Sequence, residues 1–507
     1  MTAIITLFTE LLKLITLQNI LLLSVSTTAG IIIGALPGLT ATMGIALLTG
    51  LTYGMSTDAA LVVLMGIYVG AIYGGSISAV LIGIPGTGSA AATVLDGHPL
   101  ALKGEGGTAL GLATIASFLG TLFGMVCLAG FTPLLQRIAL DFTSPEFFLL
   151  AVFGVMICGS LTAQGIPLKG WIAGFIGLAA SCVGLEGIHG YPRYTFGSVG
   201  LMGGLAFVPA MIGMFGIPSI LSELAKVNAA ARVASVGKGG ASVMMLLRRY
   251  LATILRSGLL GVWIGAIPGV GEDVAAWMSY DLARRSSKHP ERFGKGDYEG
   301  VVAPETGNNS AIGGALIPLL SLAIPGSAPT AVLLGALWLH GIRPGPMLTF
   351  EFPTFISYMS ALLLLAAFTM RFFGWLICKV APKVLQVPAF MLMPIVAVLS
   401  VIGSYALNIN MFDLYVMFAF GIIGYFMDRM KYPVAPTVLG IILGPLADTN
   451  FRRTLLASNG SLLPFFTRPL SIAIDILILY AILSQTKVTG RIIEAVRRRF
   501  GHANAEA

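Results

Sequence analysis

Apolar runs as long as a membrane span, or slightly shorter, follow one another along almost the whole chain. They lie near 14–35, 39–56, 59–95, 108–131, 146–163, 168–185, 200–221, 250–283, 300–345, 354–378, 388–407, 411–427, 433–447 and 469–486. The longest polar stretches between them are 222–249 and 284–299, so no soluble domain fits. Charged residues make up 10% of the chain, against about 25% in soluble domains. A chain this apolar uses lipid as its solvent, and the predicted fold is an all-α polytopic membrane protein. Three runs, 59–95, 250–283 and 300–345, are long enough to bend. Counting each bend as a crossing or not gives about ten to fourteen crossings.

The net charge of +8 does not point to nucleic acid, because no basic face with interleaved aromatics occurs. The cations sit between spans, where Lys and Arg hold loops on the cytoplasmic side. Lys226, Arg232, Lys238, Arg248 and Arg249 precede the run 250–283, and Arg284, Arg285, Lys288, Arg292 and Lys295 follow it. Arg491 and Arg497-Arg498-Arg499 close the chain. If both flanks of 250–283 are cytoplasmic, the run enters and returns. Its 34 residues give two legs of about 25 Å. The bend then falls at Pro268-Gly269 in "AIPGVGED" (266–273). The N-terminus lacks a small-residue cleavage site before the first run and reads as a span, not a removed signal. Cys127, Cys158, Cys182 and Cys378 are scattered in apolar surroundings with no metal-ligand spacing.

The chain repeats itself. "IIIGALPG" (31–38) matches "VWIGAIPG" (262–269) at an offset of 231. "AIYGGSISAVLIGIPGTGSAA" (71–91) matches "AIGGALIPLLSLAIPGSAPTA" (311–331) at an offset of 240, with 8 of 21 positions identical. The organisation read from this is a first membrane half, 1–221, with breaks at 36–38 and 84–89, and a second, 250–486, with breaks at 267–269 and 324–327. A basic cytoplasmic connection, 222–249, joins them, and a basic cytoplasmic tail, 487–507, ends the chain. Paired interruptions of this kind point to a transporter's binding site.

A broken helix in lipid leaves backbone N–H and C=O groups bare, which costs several kcal/mol each unless something uses them. The N-terminal end of a half-helix offers N–H groups and partial positive charge, which suit a carboxylate. Its C-terminal end offers carbonyls that suit Na⁺. In the first break Gly86 and Gly88 let a ligand approach the backbone, while Thr87 and Ser89 add hydroxyls. In the second, Gly326, Ser327 and Thr330 take the same parts. The alternative is a kink whose hydroxyls are satisfied internally. In "APETGNNSAIGGALIP" (303–318), Glu305, Asn308 and Asn309 share one helical face. They face either a cavity or a partner helix. Asp273, beside the second Pro-Gly break, is either an ion-coupling carboxylate or a satisfied N-cap. Its repeat partner is Thr42. In "DGHPLALKGEGG" (96–107), Asp96-Gly97-His98-Pro99 reads as a turn, with Lys103 and Glu105 at the membrane surface. Neither a nucleotide-binding P-loop nor a nucleophile motif occurs, so the chain reads as no enzyme.

"GALPGLTATMGIALL", "GAIYGGSISAVLIGIPGTGSAAATVLDGHPLALKGEGGTALG", "FGKGDYEGVVAPETGNNSAIGGALIPLLSLAIPGSAPTAVLLGAL" and "GIRPGPML" resemble the large membrane subunit of tripartite tricarboxylate transporters, the TctA family, over nearly the whole chain. The resemblance implies a multi-pass permease of the bacterial inner membrane that takes up citrate or related carboxylates on an ion gradient. It implies two protein partners, a small membrane subunit and a periplasmic substrate-binding protein. It implies no cofactor beyond a coupling ion, Na⁺ or H⁺. It also implies that Gly86, Thr87, Ser89, Asn308, Asn309, Gly326 and Ser327 lie near the substrate and ion path. The competing readings are an uncoupled channel or scaffolding subunit, which would favour a continuous polar pore face, and an intramembrane enzyme.

Overall fold

The computed structural model describes residues 2–163, 165–225, 234, 243–385, 389–406 and 408–484. Most of the basic connection and all of the tail, including Lys226, Arg232, Lys238, Arg491 and Arg497-Arg498-Arg499, lie outside the described residues. The fold is all-α. Among the described residues eight helices are long and apolar enough to cross a membrane, and five further apolar helices are shorter. The chain forms two compact units, one from 1–140 and 206–428, the other from 141–205 and 429–507. Each unit therefore draws on both sequence halves.

Ten helices of the first unit form a duplicated framework. In the first half they are α1 (Leu17–Ala35), α2 (Ala41–Leu51), α3 (Thr57–Ile82), α4 (Ala91–Leu100) and α5 (Gly106–Ala139). In the second half they are α6 (Leu251–Gly265), α7 (Gly271–Ser286), α8 (Glu299–Leu322), α9 (Ala328–Leu339) and α10 (Phe355–Val384). The breaks match in conformation as well as in sequence. Helices α3 and α8 both end on a left-handed residue, Gly83 at φ 69° and Ala323 at φ 58°. The packing is duplicated too. A side chain on Gly34 would strike the backbone of Ala71, and one on Gly265 would strike Ala311. Gly30 stands in the same way against Ile67, and Gly261 against Gly307. In both halves small residues let the first helix approach the long helix backbone to backbone, the usual way to gain packing where lipid supplies no hydrophobic drive. Gly34→Leu and Gly265→Leu are therefore expected to behave alike. Each should abolish a monodisperse peak on size-exclusion chromatography, whereas Gly130→Leu, where an added side chain meets only open space, should keep it.

The two halves run in opposite directions. The start of α3 lies at His340, whose carbonyl accepts from Thr57 Oγ1 at 3.4 Å. Its far end lies at His98, whose Nδ1 is 3.1 Å from the Val80 carbonyl. Helix α8 instead begins beside the end of α4, where Gly296 and Asp297 donate to Asp96. It ends where Gly345 N–H donates to Leu320 O at 3.1 Å. After each long helix the chain doubles back along it. Gly86 N–H reaches Gly75 O at 3.5 Å, and Gly326 lies against Ala315. Each Ile-Pro-Gly tip thus sits partway along a long helix rather than at its end.

The run 250–283 does enter and return. Thr253, near the start of α6, donates to Glu299 at 2.5 Å, and Tyr280, in α7, donates to Asp96 at 2.8 Å, so both legs end on the face where α8 begins. The bend between them, Ala266–Val270, lies against the second tip, where Gly269 N–H donates to Pro325 O at 3.1 Å. Fifteen and 16 residues give legs of about 23 and 24 Å, too short to cross a core of about 30 Å. The first expected span, near 14–35, is the helix Leu17–Ala35, whose start Thr16 caps through Asn19 N–H, and a further helix, Thr2–Leu14, precedes it.

In the second unit helices Ser144–Thr162, Pro167–Ser181 and Val434–Ala457 pack on small residues, Gly159 against Gly170 and Gly177 against Thr437. Two ion pairs brace it. Arg193 clamps Asp448 in bidentate fashion at 3.0 and 2.9 Å, and Arg468 reaches Glu146 at 2.7 Å.

Candidate functional site

The two tips differ in how their polar groups are used. At the second, Ser327 is extended and forms a reciprocal cap: its N–H donates to Thr330 Oγ1 at 2.8 Å, and Thr330 N–H donates to Ser327 Oγ at 3.3 Å. The second tip is closed upon itself. At the first, Ala90 stands where Thr330 stands in the second, so no such cap forms. Thr87 is extended in the same way, but its hydroxyl pairs with Ser89 Oγ at 2.9 Å. The N–H groups of Gly88 and Ser89 make no hydrogen bond among the described residues. The first tip is therefore the one with free donors, and Gly88 is exposed.

Both tips meet the first turn of α7. Gly271, at φ 69°, presses on Ser327: an added Cβ would stand 2.8 Å from the serine's own. The Glu272 carboxylate accepts from Tyr68, whose hydroxyl is also 3.1 Å from Ser327 Oγ. Asp273 faces the other way. Its Oδ2 lies 2.5 Å from where a Cβ on Gly88 would stand. Two consecutive carboxylates thus look to opposite tips. Glu272 is buried, whereas Asp273 is exposed and makes no hydrogen bond or ion pair among the described residues. The N-cap reading of Asp273 fails. The cap position of α7 is Val270, no side chain caps it, and Asp273 turns outward to Gly88.

Helix α8 supplies a third group. Glu305 is fully buried and accepts from Thr93 at 2.5 Å and Ser117 at 2.9 Å. Asn308 donates to Ser89 O at 3.3 Å. Asn309 donates to Glu305 O at 3.0 Å and to Asn308 Oδ1 at 2.5 Å, while its own Oδ1 has no partner. Gly86 and Gly326 do not open onto space. A side chain on either would strike a backbone carbonyl, that of Gly34 or Gly265. Their smallness serves the contact between tip and hairpin.

Sequence reasoning did not single out Tyr68, Glu272, Thr93 or Ser117. One signal was present. At the 240-residue offset Tyr68 pairs with Asn308, and each reaches the tip contributed by the other half, Ser327 and Ser89. The predicted turn at Asp96-Gly97-His98-Pro99 is instead the end of α4, and the chain reverses at Gly104, φ 84°. Asp96 does not fold onto its own neighbours because distant groups take its carboxylate. Tyr280 and the N–H groups of Gly294, Gly296 and Asp297 donate to it at 2.8 to 3.0 Å. Nearby, Lys103 donates to Lys295 O at 2.6 Å and Tyr298 donates to Glu105. Burial first, and then Glu105, push the Tyr298 phenol up to about 12, so it remains a donor.

A protein of Agrobacterium vitis, the uncharacterized 52.8 kDa protein in the TAR-I ttuC' 3' region, is 36% identical over 459 residues, 89% of this chain and 90% of that one. A second from the same organism, in the TAR-II ttuC' 3' region, is 36% identical over 217 residues, 42% of this chain and 87% of that one. No solved structure matches the chain. Residues 20–439 match the family model for the tripartite tricarboxylate transporter TctA family, a stretch that takes in both Ile-Pro-Gly tips, the return hairpin and Glu305. On that match the chain belongs to the TctA family of tripartite tricarboxylate transporters.

Proposed function

We propose that this chain is the permease subunit of a binding-protein-dependent secondary transporter in the bacterial inner membrane. It takes up tricarboxylates such as citrate, or related carboxylates, on a Na⁺ or H⁺ gradient. Its partners are a small membrane subunit and a periplasmic substrate-binding protein. The observation that carries this reading is the first tip, where unpaired N–H groups of Gly88 and Ser89 stand beside the free carboxylate of Asp273. N–H groups at a helix start bind carboxylates, and the hydroxyls of Thr87 and Ser89 add to them. Asp273 repels an anion until a cation or proton neutralises it, which makes substrate and ion bind together. Glu305 is the second ion-coupling group, joined to the tip through Asn309, Asn308 and Ser89. Ser327 and Thr330 hold the second tip in shape, and Gly86 and Gly326 let both tips seat. Opposed repeats around such a site suit alternating access by movement of one unit.

Uptake of labelled citrate into vesicles carrying the complete transporter and its binding protein tests this. Accumulation above the external level should follow an imposed Na⁺ or H⁺ gradient and vanish without one. Equilibration that ignores both gradients would mark an uncoupled channel, and no uptake at all a scaffold. Asn309→Ala removes a side chain whose NH₂ is bonded twice, leaving buried groups unpaired at about 1–3 kcal/mol. At limiting substrate that corresponds to a roughly ten- to hundredfold loss in apparent affinity. Normal transport by a stably inserted Asn309→Ala protein would remove Asn309 from the site.

A further inference from the structure

Three of the fully buried carboxylates are handled in different ways. Glu146 has Arg468 at 2.7 Å. Asp96 has four donors around it. Glu305 accepts only two hydroxyl hydrogen bonds, one on each oxygen, and no Lys, Arg or His pairs with it among the described residues. Accepting on both oxygens suits the charged form, and a buried charge without a counter-charge is costly.

Two oxygen atoms without partners lie close by, one beside the carboxylate and one a helical turn along α8. Ser76, on α3, lies beside the Glu305 carboxylate, and its hydroxyl makes no hydrogen bond. Asn309, one helical turn along α8, spends its NH₂ on Glu305 O and Asn308 Oδ1, so its unpaired atom is the amide carbonyl oxygen. Ser76 and Asn309 are each 0% exposed. Buried polar atoms are nearly always partnered, so an orphan hydroxyl beside an uncompensated carboxylate and an orphan amide oxygen one helical turn from it call for an explanation.

We propose that Glu305, Ser76, Thr93, Ser117 and Asn309 Oδ1 bind one dehydrated monovalent cation, Na⁺. This rests on the reading of the chain as an ion-coupled permease. The donor set selects the ion. All ligands are hard oxygens, which excludes soft metals, and a single carboxylate among neutral oxygens balances one positive charge. The ligands come from α3, α4 and α5 of the first half and α8 of the second, so the ion ties the two halves together. It also reaches the first tip, because Asn309 donates to Asn308 and Asn308 to Ser89 O. Ion occupancy thereby sets the position of the tip that offers its N–H groups to substrate.

The test uses the full-length purified protein without carboxylate. Its thermal-unfolding midpoint is titrated with NaCl against choline chloride at constant ionic strength, alongside equilibrium binding of radiolabelled Na⁺. A protein that binds Na⁺ only when folded gains a saturable stabilisation. Wild type should show it, Glu305→Gln should lose it, and Ser76→Ala and Ser117→Ala should each weaken the apparent Na⁺ affinity about tenfold. Ser76→Ala removes a hydroxyl that bonds to nothing, so it carries the test if Glu305→Gln does not fold. A wild-type protein with no saturable Na⁺ response, or variants whose titrations superimpose on wild type, would overturn the site. A midpoint that responds to pH and not to Na⁺ would overturn it in favour of a protonated Glu305. Citrate uptake on a Na⁺ gradient with an unchanged Na⁺ response in these variants would remove this site and leave the transport reading standing. Loss of the Na⁺ response with no carboxylate uptake by wild type would do the reverse.

Discussion

Asp96→Ala is expected to leave little folded protein. The substitution strips the acceptor from Tyr280 Oη and from the N–H groups of Gly294, Gly296 and Asp297. An unpaired buried donor costs about 1–3 kcal/mol, and bonds to a charged group are at the upper end. Even with strong non-additivity the four amount to roughly 4 kcal/mol or more. Asp96→Asn should be nearly as damaging, because its NH₂ faces donors. Tyr280→Phe removes one donor of four and should cost only about 1 kcal/mol. Thermal midpoints in detergent, measured by fluorescence-detected size-exclusion chromatography, give the order directly. If Asp96→Ala melts within a degree or two of wild type, the carboxylate is not the anchor between α4 and the loop before α8. The consequence for transport is positional. The first tip leaves through α4, so an unanchored α4 lets go of the segment that presents Gly88 and Ser89.

Asp273→Asn should act on coupling rather than on folding. A substrate carboxylate held by Gly88 and Ser89 N–H would lie about 5 Å from Asp273, where repulsion is about 3 kcal/mol at an effective dielectric of 20 and about 1 kcal/mol in water. Asp273 is exposed, so the solvent beside it raises the effective dielectric and pulls the value toward the lower figure. The amide removes this repulsion, so the cation concentration needed for half-maximal substrate binding should fall by roughly five- to a hundredfold. Labelled citrate binding to the transporter over a range of NaCl concentrations at constant ionic strength measures it. An Asp273→Asn protein with the wild-type cation dependence would free Asp273 of any coupling role. Thr42 occupies the equivalent position of the first half without a charge, so the framework accepts a neutral side chain there.

The membrane class, the helical fold, the places where helices break and the return of 250–283 were all legible in the sequence. Each depends on a local property: the hydropathy of a run, Pro-Gly where an N–H is missing, cations flanking a span. The duplication was legible as well, because it is a comparison of the chain with itself. The site was legible only in part. Thr87, Ser89, Asp273 and Glu305 could be marked as polar groups in apolar surroundings, and Gly88 as open backbone, but not whom they meet. Tertiary structure decided that the first tip is open and the second capped, that Gly86 and Gly326 serve backbone packing, and that Asp273 turns outward while Glu272 turns in to Tyr68. It also turned the expected Asp96 turn into a helix end, by bringing up donors about 200 residues away. The reason is common to all of these. A side chain's partner across two opposed halves depends on where the chain returns in space, and neither hydropathy nor spacing along the sequence carries that information.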